Sequence, residues 1–266
     1  MNKTNQPVRF NTPVLVATVG LLMIAIGSVQ AADNPVGVCE AAKISAAGER
    51  SACLAEEQAE VRLGRATDLA TEQRADLRRD KPSGPARCET KFDKTIAKID
   101  EKAAKHGVVC RFLDNGDGTV SDLNTLLVWE KKTRDSSVHD AFNSYAWTVT
   151  NTAPDGPAFT DFLAQLNNNL SSDGKTVTGG FAGHVDWRLP TSAELLTILV
   201  EPFPCPTQRP CIDPIFGPTL TTQYWSTTTF ASNHALFAWS VDFFEGGAGF
   251  GGKFNMNRVR AVRGGR

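Results

Sequence analysis

A chain of 266 residues is longer than one average domain and can bury a substantial core. Its 28 basic and 29 acidic residues leave a net charge of -1, which excludes a global field drawing it to nucleic acid or an anionic membrane surface. Six cysteines, an even number behind an export signal, point to disulfides rather than free thiols.

The export signal comes first in the chain. Lys3 and Arg9 make a positive start, Val14 to Ile26 an apolar core, and Val29-Gln30-Ala31 a small-x-small cleavage site, so residues 1–31 read as a signal peptide. The apolar run is shorter than the roughly 20 residues of a comfortable span. No membrane span is therefore expected after cleavage, and no cysteine follows the site to carry a lipid anchor. The expected location is exported, periplasmic or extracellular.

Residues 32–109 form a second region. From Val36 to His106 the chain is rich in Ala, Glu, Lys and Arg and lacks Trp and Tyr, a composition that favours helix and cannot fill a wide core. A long helix is expected from Val36 to Asp80, with Gly64 as a possible interruption, and a second from Ala86 to His106. Cys39 and Cys53 share a helix face, as do Cys88 and Cys110 if the second helix reaches that far. Facing helices carrying such pairs make a stapled segment. An antiparallel arrangement joins Cys39 to Cys110 and Cys53 to Cys88, while Cys39–Cys88 with Cys53–Cys110 remains open. A zinc site lacks both a Cys-x-x-Cys spacing and flanking histidines.

Beyond Cys110 the composition changes, and every Trp and Tyr lies in residues 110–266. Arg111–Leu113 and Thr119–Val120 flank the turn Asp114-Asn115-Gly116-Asp117-Gly118, a hairpin pattern, and Leu126–Trp129 is the next strand. The acidic turn lacks the oxygen spacing of a calcium loop and reads as a plain turn. Phe159, Phe162, Leu163 and Leu166 recur at helical spacing over Pro157–Asn168. A polar, Gly-rich surface loop runs from Asn167 to Gly183. Trp187-Arg188-Leu189 then ends a half-buried strand, Pro190 stops it, and Thr191 with Glu194 makes the capping box of a short helix through Leu199. A proline-dense loop, Pro202 to Pro218, carries Cys205 and Cys211 as a local staple. Tyr224–Thr229 and Ala238–Phe243 are strands, and Arg258–Arg263 is the last. Gly247–Gly252 matches G-x-G-x-x-G formally, but no helix follows, so it reads as a flexible hairpin tip.

These motifs carry a resemblance. Asp114–Val120, Leu127-Val128-Trp129, Asp186–Thr191 with Glu194-Leu195, Tyr224–Thr227, Ala238–Phe243 and Val259–Arg263 stand in the order seen in the family of the C-terminal domain of the Legionella collagen-like adhesin, over residues 111–263. The resemblance implies an α+β fold of C-type-lectin-like type, also that of the formylglycine-generating enzymes, with two helices and small twisted antiparallel sheets, here preceded by the disulfide-stapled α-helical segment. It also implies recognition of sulfated glycosaminoglycans by a trimer on a collagen-like stem, a stem this chain lacks. The helical segment is similar to a four-cysteine module that precedes such domains in other exported bacterial proteins.

The expected function is thus a non-enzymatic recognition or adhesion module with no cofactor. Its partner would be a sulfated or acidic glycan or an envelope protein. A formylglycine-generating-type enzyme would need free cysteines at a copper site, and only Cys205 and Cys211 lie in this region. No Gly-x-Ser-x-Gly elbow occurs, and the four histidines are scattered. The candidate ligand-binding residues are Lys253, Arg258, Arg260 and Arg263, whose guanidinium forks suit sulfate or carboxylate, with Trp225 and Trp239 to stack on sugar rings. The competing reading pairs Arg260 and Arg263 with Asp242, Asp186 or Glu245 and buries the tryptophans.

Overall fold

The computed structural model describes residues 34–64, 84–168, 179–200 and 209–265. The expected signal peptide, Cys205 and Arg266 lie outside them, as does the stretch of the first expected helix beyond Gly64.

Helix α1 spans Pro35–Gly64 and α2 spans Pro85–Ala104. Asn34 starts α1, its Oδ1 accepting from the amides of Val36 and Gly37 at 3.1 and 3.3 Å. Cys39 is bonded to Cys110 and Cys53 to Cys88, with Cα atoms 6.0 and 5.8 Å apart. The start of α1 therefore meets the end of α2, and the helices run antiparallel. The second helix does not reach Cys110, so the condition for Cys88 and Cys110 to share a helix face is not met. Gly107, at φ +67°, follows the end of α2, and Cys110 lies on the extended segment leading into the strands.

After the helices the chain is mixed α and β, an α+β fold with two small antiparallel sheets. Strands β1 (Phe112–Asp114), β2 (Thr119–Asp122), β3 (Leu127–Glu130) and β7 (Val262–Gly264) form a sheet in the order β1-β2-β3-β7. Strands β4 (Gln223–Thr229), β5 (Phe237–Asp242) and β6 (Gly247–Gly252) form the other in sequence order. The β1–β2 turn uses its own acids. Asp114 accepts from the Gly116 amide and pairs with Lys131, and Asp117 accepts from the amide and hydroxyl of Thr119.

Two helical pieces complete this part. A π-helical turn, Ala158–Leu163, runs into α3, Ala164–Asn168, so the amphipathic segment is helical but wider at its start than its spacing suggests. Helix α4, Ser192–Thr197, carries the full capping box of Thr191 and Glu194. Arg188 and Glu194 are paired at 2.6 Å, and Trp187 and Leu189 are buried, which makes this stretch a structural joint between helix and sheet. Thr227 donates to the Pro190 carbonyl and Arg188 bridges to Val262, so the joint touches both sheets.

One core cluster joins the two sheets and α4 through Val120, Trp129, Leu195, Phe216, Tyr224, Val241 and Val262. The other gathers Trp147, Phe162, Leu166, Trp187, Leu189, Trp225 and Val259. Buried indoles need an acceptor for their N–H. Trp147, Trp187 and Trp225 find the carbonyls of Ser226, Phe181 and Tyr145, each at 2.9 Å.

Two strand expectations are corrected. Gly247–Gly252 is not a hairpin tip but strand β6, paired residue by residue with β5; the turn is the segment before it. Arg258–Ala261 is not regular strand, and only Val262 onward joins a sheet.

Candidate ligand-binding surface

The expected basic face separates into buried and surface residues. Arg260 is fully buried; its guanidinium donates to the carbonyls of Glu130 and Phe216 at 2.7 and 2.9 Å and to Thr219 Oγ1 at 2.8 Å. Lys253 is also buried, its Nζ 2.6 Å from the His234 carbonyl and 4.1 Å from the centre of the Trp147 ring. Burial holds this ammonium below the usual lysine range, with Asp155 opposing. Trp225 is fully buried. These three cannot touch an external ligand, because the packing that stabilises them leaves no open atom. They are removed from the ligand set. Arg263 is paired with Asp186 at 2.7 Å, one of the partners weighed from sequence. Arg258 reaches the surface in part and donates to the Phe142 carbonyl.

Trp239 keeps a surface position, and it is not alone. It faces Phe250 across β5 and β6, the rings 6.0 Å apart and nearly perpendicular. Phe230 stacks on Phe250 at 4.2 Å with the planes 16° apart, and Phe237 meets it edge-on at 5.7 Å. Phe250 is 50% exposed. Its same-face neighbours along β6 are Ala248 and Gly252, so only small residues flank the ring on that strand. A half-exposed ring held in place by partly buried aromatic neighbours offers a rigid apolar surface. Lys253 contributes from beneath: its contact with His234 and its amide's bond to Leu236, 2.9 Å, fix the loop between Phe230 and Phe237.

Sequence reasoning missed Phe250, Phe230 and Phe237. The available signal was the position of Phe250 eleven residues after Trp239 in a run with no residue unfit for a strand edge, but glycines hide the two-residue period that marks strands.

A buried charge network lies behind the first sheet. Glu130 is fully buried and accepts from Lys132 Nζ and His139 Nδ1, both at 2.9 Å, and from the Ala261 amide at 3.0 Å. Burial opposes its charge, but Lys132 and His139 outweigh that and hold the carboxyl below the usual glutamate range. Cys211 is buried and disulfide-bonded; the partner expected for it, Cys205, lies outside the described residues. Among the described residues no helix is long and apolar enough to cross a membrane.

Residues 118–263 match the family model described as the Lcl C-terminal domain, which covers more than half of the chain. A search of curated proteins found no match.

Proposed function

The chain belongs to the Lcl C-terminal domain family, and from that premise we propose that it is an exported, non-enzymatic recognition module of the adhesin type that takes acidic glycans as ligands. The observation that carries this reading is the aromatic cluster in which half-exposed Phe250 is held by the partly buried rings of Trp239, Phe230 and Phe237. The flat apolar face of a pyranose ring stacks on such rings, and the platform is preformed, so little ordering entropy opposes binding. Two described disulfides fit an oxidising compartment, and the bonded state of Cys211 argues against a copper-thiolate enzyme.

The test uses the chain purified from an oxidising compartment. A heparin column is expected to retain it at low salt and release it as ionic strength rises. The variant Phe250→Ala is expected to bind acidic glycans at least about tenfold more weakly, with thermal unfolding to verify that it stays folded, since this ring is half exposed. Flow-through of the unmodified chain at low salt counts against the acidic ligand.

A second reading, an envelope protein as partner, is favoured by one observation. An apolar groove of about 680 Å³ runs along the helical pair, lined by Pro35, Val38, Ile99 and Val108 among others. Binding to envelope proteins without any glycan affinity would favour this alternative.

A further inference from the structure

We propose that the cleft bounded by Arg134 and by Arg209–Thr219 is a clamp for an oxyanion, the sulfate or carboxylate group of an acidic glycan, with Arg134 and Arg209 as its two jaws. The proposal deepens the acidic-glycan reading above and rests on it. Neither arginine belongs to the basic run near the end of the chain that the sequence singles out.

The cleft has a volume of about 460 Å³, within the range of sites that hold a small ligand. Both guanidiniums at its rim are exposed. Each lies over an aromatic ring, Arg209 3.8 Å from the centre of Phe244 and Arg134 5.1 Å from that of Phe142. A ring beneath a guanidinium occupies its face and leaves its N–H edge to donate, which preorganises the fork that matches a carboxylate or sulfate. Among the described residues neither arginine forms an ion pair. The acids next to them in sequence are otherwise occupied. Asp135 accepts from Thr133 and Ser137, and Asp213 accepts from the Ile215 amide.

The floor adds to the same field. Thr219, nearly buried, lines the cleft and accepts from Arg260. Arg260 has only neutral acceptors: two carbonyls and this hydroxyl. Behind the cleft lie the buried cations Lys132 and Arg260 with the buried carboxylates Glu130 and Asp140; Glu130 pairs with Lys132, and Arg260, one hydrogen bond below the floor, forms no ion pair among the described residues. In a poorly polarisable interior such a charge acts over a longer distance than it would in water. Gly217, another lining residue, is pressed against the Lys132 carbonyl, where a Cβ would stand 2.2 Å away, so the cleft wall is fixed to the charged cluster. Two rim forks flank the cleft and the Arg260 cation lies beneath its floor, an arrangement that suits an oxyanion.

The experiment compares the full chain with Arg134→Gln/Arg209→Gln on immobilised heparin and on chemically desulfated heparin. Lys94→Gln/Lys98→Gln, which removes the same charge from exposed positions on α2, is the control, and thermal unfolding verifies that each variant is folded. The arginine variant is expected to lose about tenfold in affinity, as for two charge-assisted contacts on an exposed rim, while the lysine variant keeps its affinity. Loss on heparin alone assigns the clamp to sulfate; loss on both surfaces assigns it to carboxylate as well. Equal binding by the arginine variant and the lysine control overturns the clamp and leaves the acidic-glycan reading standing. Failure of the unmodified chain to bind either surface overturns both.

Discussion

Lys43 Nζ lies 2.6 Å from Asn124 Oδ1, and the same ammonium is 2.5 Å from Asp100 Oδ1. Lys43 is on α1, Asp100 on α2 and Asn124 on the turn between β2 and β3, so one fully buried cation ties the helical pair to the first sheet. Leu126 of the same turn packs against Ala46, Phe92 and Ile96 of the helices. Lys43→Ala removes the ammonium that both Asn124 and Asp100 face at this junction and is expected to cost about 1–3 kcal/mol. Lys43→Met, which fills the same volume, should cost less. Thermal unfolding gives the loss, and hydrogen exchange of residues 122–127 shows where it falls; unchanged exchange there would mean that the junction does not depend on Lys43.

The two N-terminal bridges close long loops, joining positions separated by 71 and 35 in sequence. Loop-closure entropy assigns each about 4 kcal/mol. The helical pair has only thin clusters around Ala46, Phe92, Ile96 and Ala103, while the sheets hold two larger ones. Cys53→Ala/Cys88→Ala should therefore lower the helical ellipticity at moderate temperature and leave the near-ultraviolet signal of the buried tryptophans in place. Joint loss of both signals in one transition would show that helices and sheets unfold as a unit.

What could be read in the chain was local. The Thr191–Glu194 capping box needs only neighbours, and it forms as its letters imply. Strands β3, β4 and β5 carry side chains that mark their period, and they occur where expected. Strand β6 was illegible because glycine has no side chain to alternate, and its identity is supplied by β5 alongside it. The fate of Arg260 was illegible for another reason. Its acceptors are 130, 44 and 41 residues away in the chain, so no local pattern could announce that this arginine is inside. Arg263 differed only in degree, since Asp186 was already one of its candidate partners.

Carboxylates with depressed pKa values make the fold sensitive to acid. Glu130 is held low by Lys132 and His139 against burial, Glu194 by Arg188 and Thr191 against burial, and Asp135, held by the Ser137 and Thr133 hydroxyls, is pulled down to about 2. In each case the folded pKa lies below the unfolded value, so the unfolded chain binds more protons in the acid range. The stabilisation is complete above the ordinary carboxylate pKa of about 4 and is lost as pH falls through the depressed values. The urea midpoint should be level near neutrality and fall steadily below about pH 4. Glu130→Gln should flatten part of that decline and cost about 3–5 kcal/mol at neutral pH, because Lys132 is left buried without its partner. A midpoint that stays constant from pH 7 to pH 3 would contradict this account.

Arg260 and Arg258 stand two residues apart and should respond in opposite ways. Arg260→Met removes a buried guanidinium from two carbonyls and a hydroxyl and leaves those acceptors short of a donor. The expected cost is about 2–4 kcal/mol, or a melting temperature lower by roughly 5–15 °C for a chain of this size. Arg258→Gln removes a partly exposed side chain bonded to a single carbonyl, and its cost should stay near 0.5 kcal/mol or below, a typical surface value. The comparison separates support from recognition at neighbouring positions. If Arg260→Met melts with the parent chain and instead loses glycan binding, the guanidinium faces a ligand, and the burial argued for it is wrong.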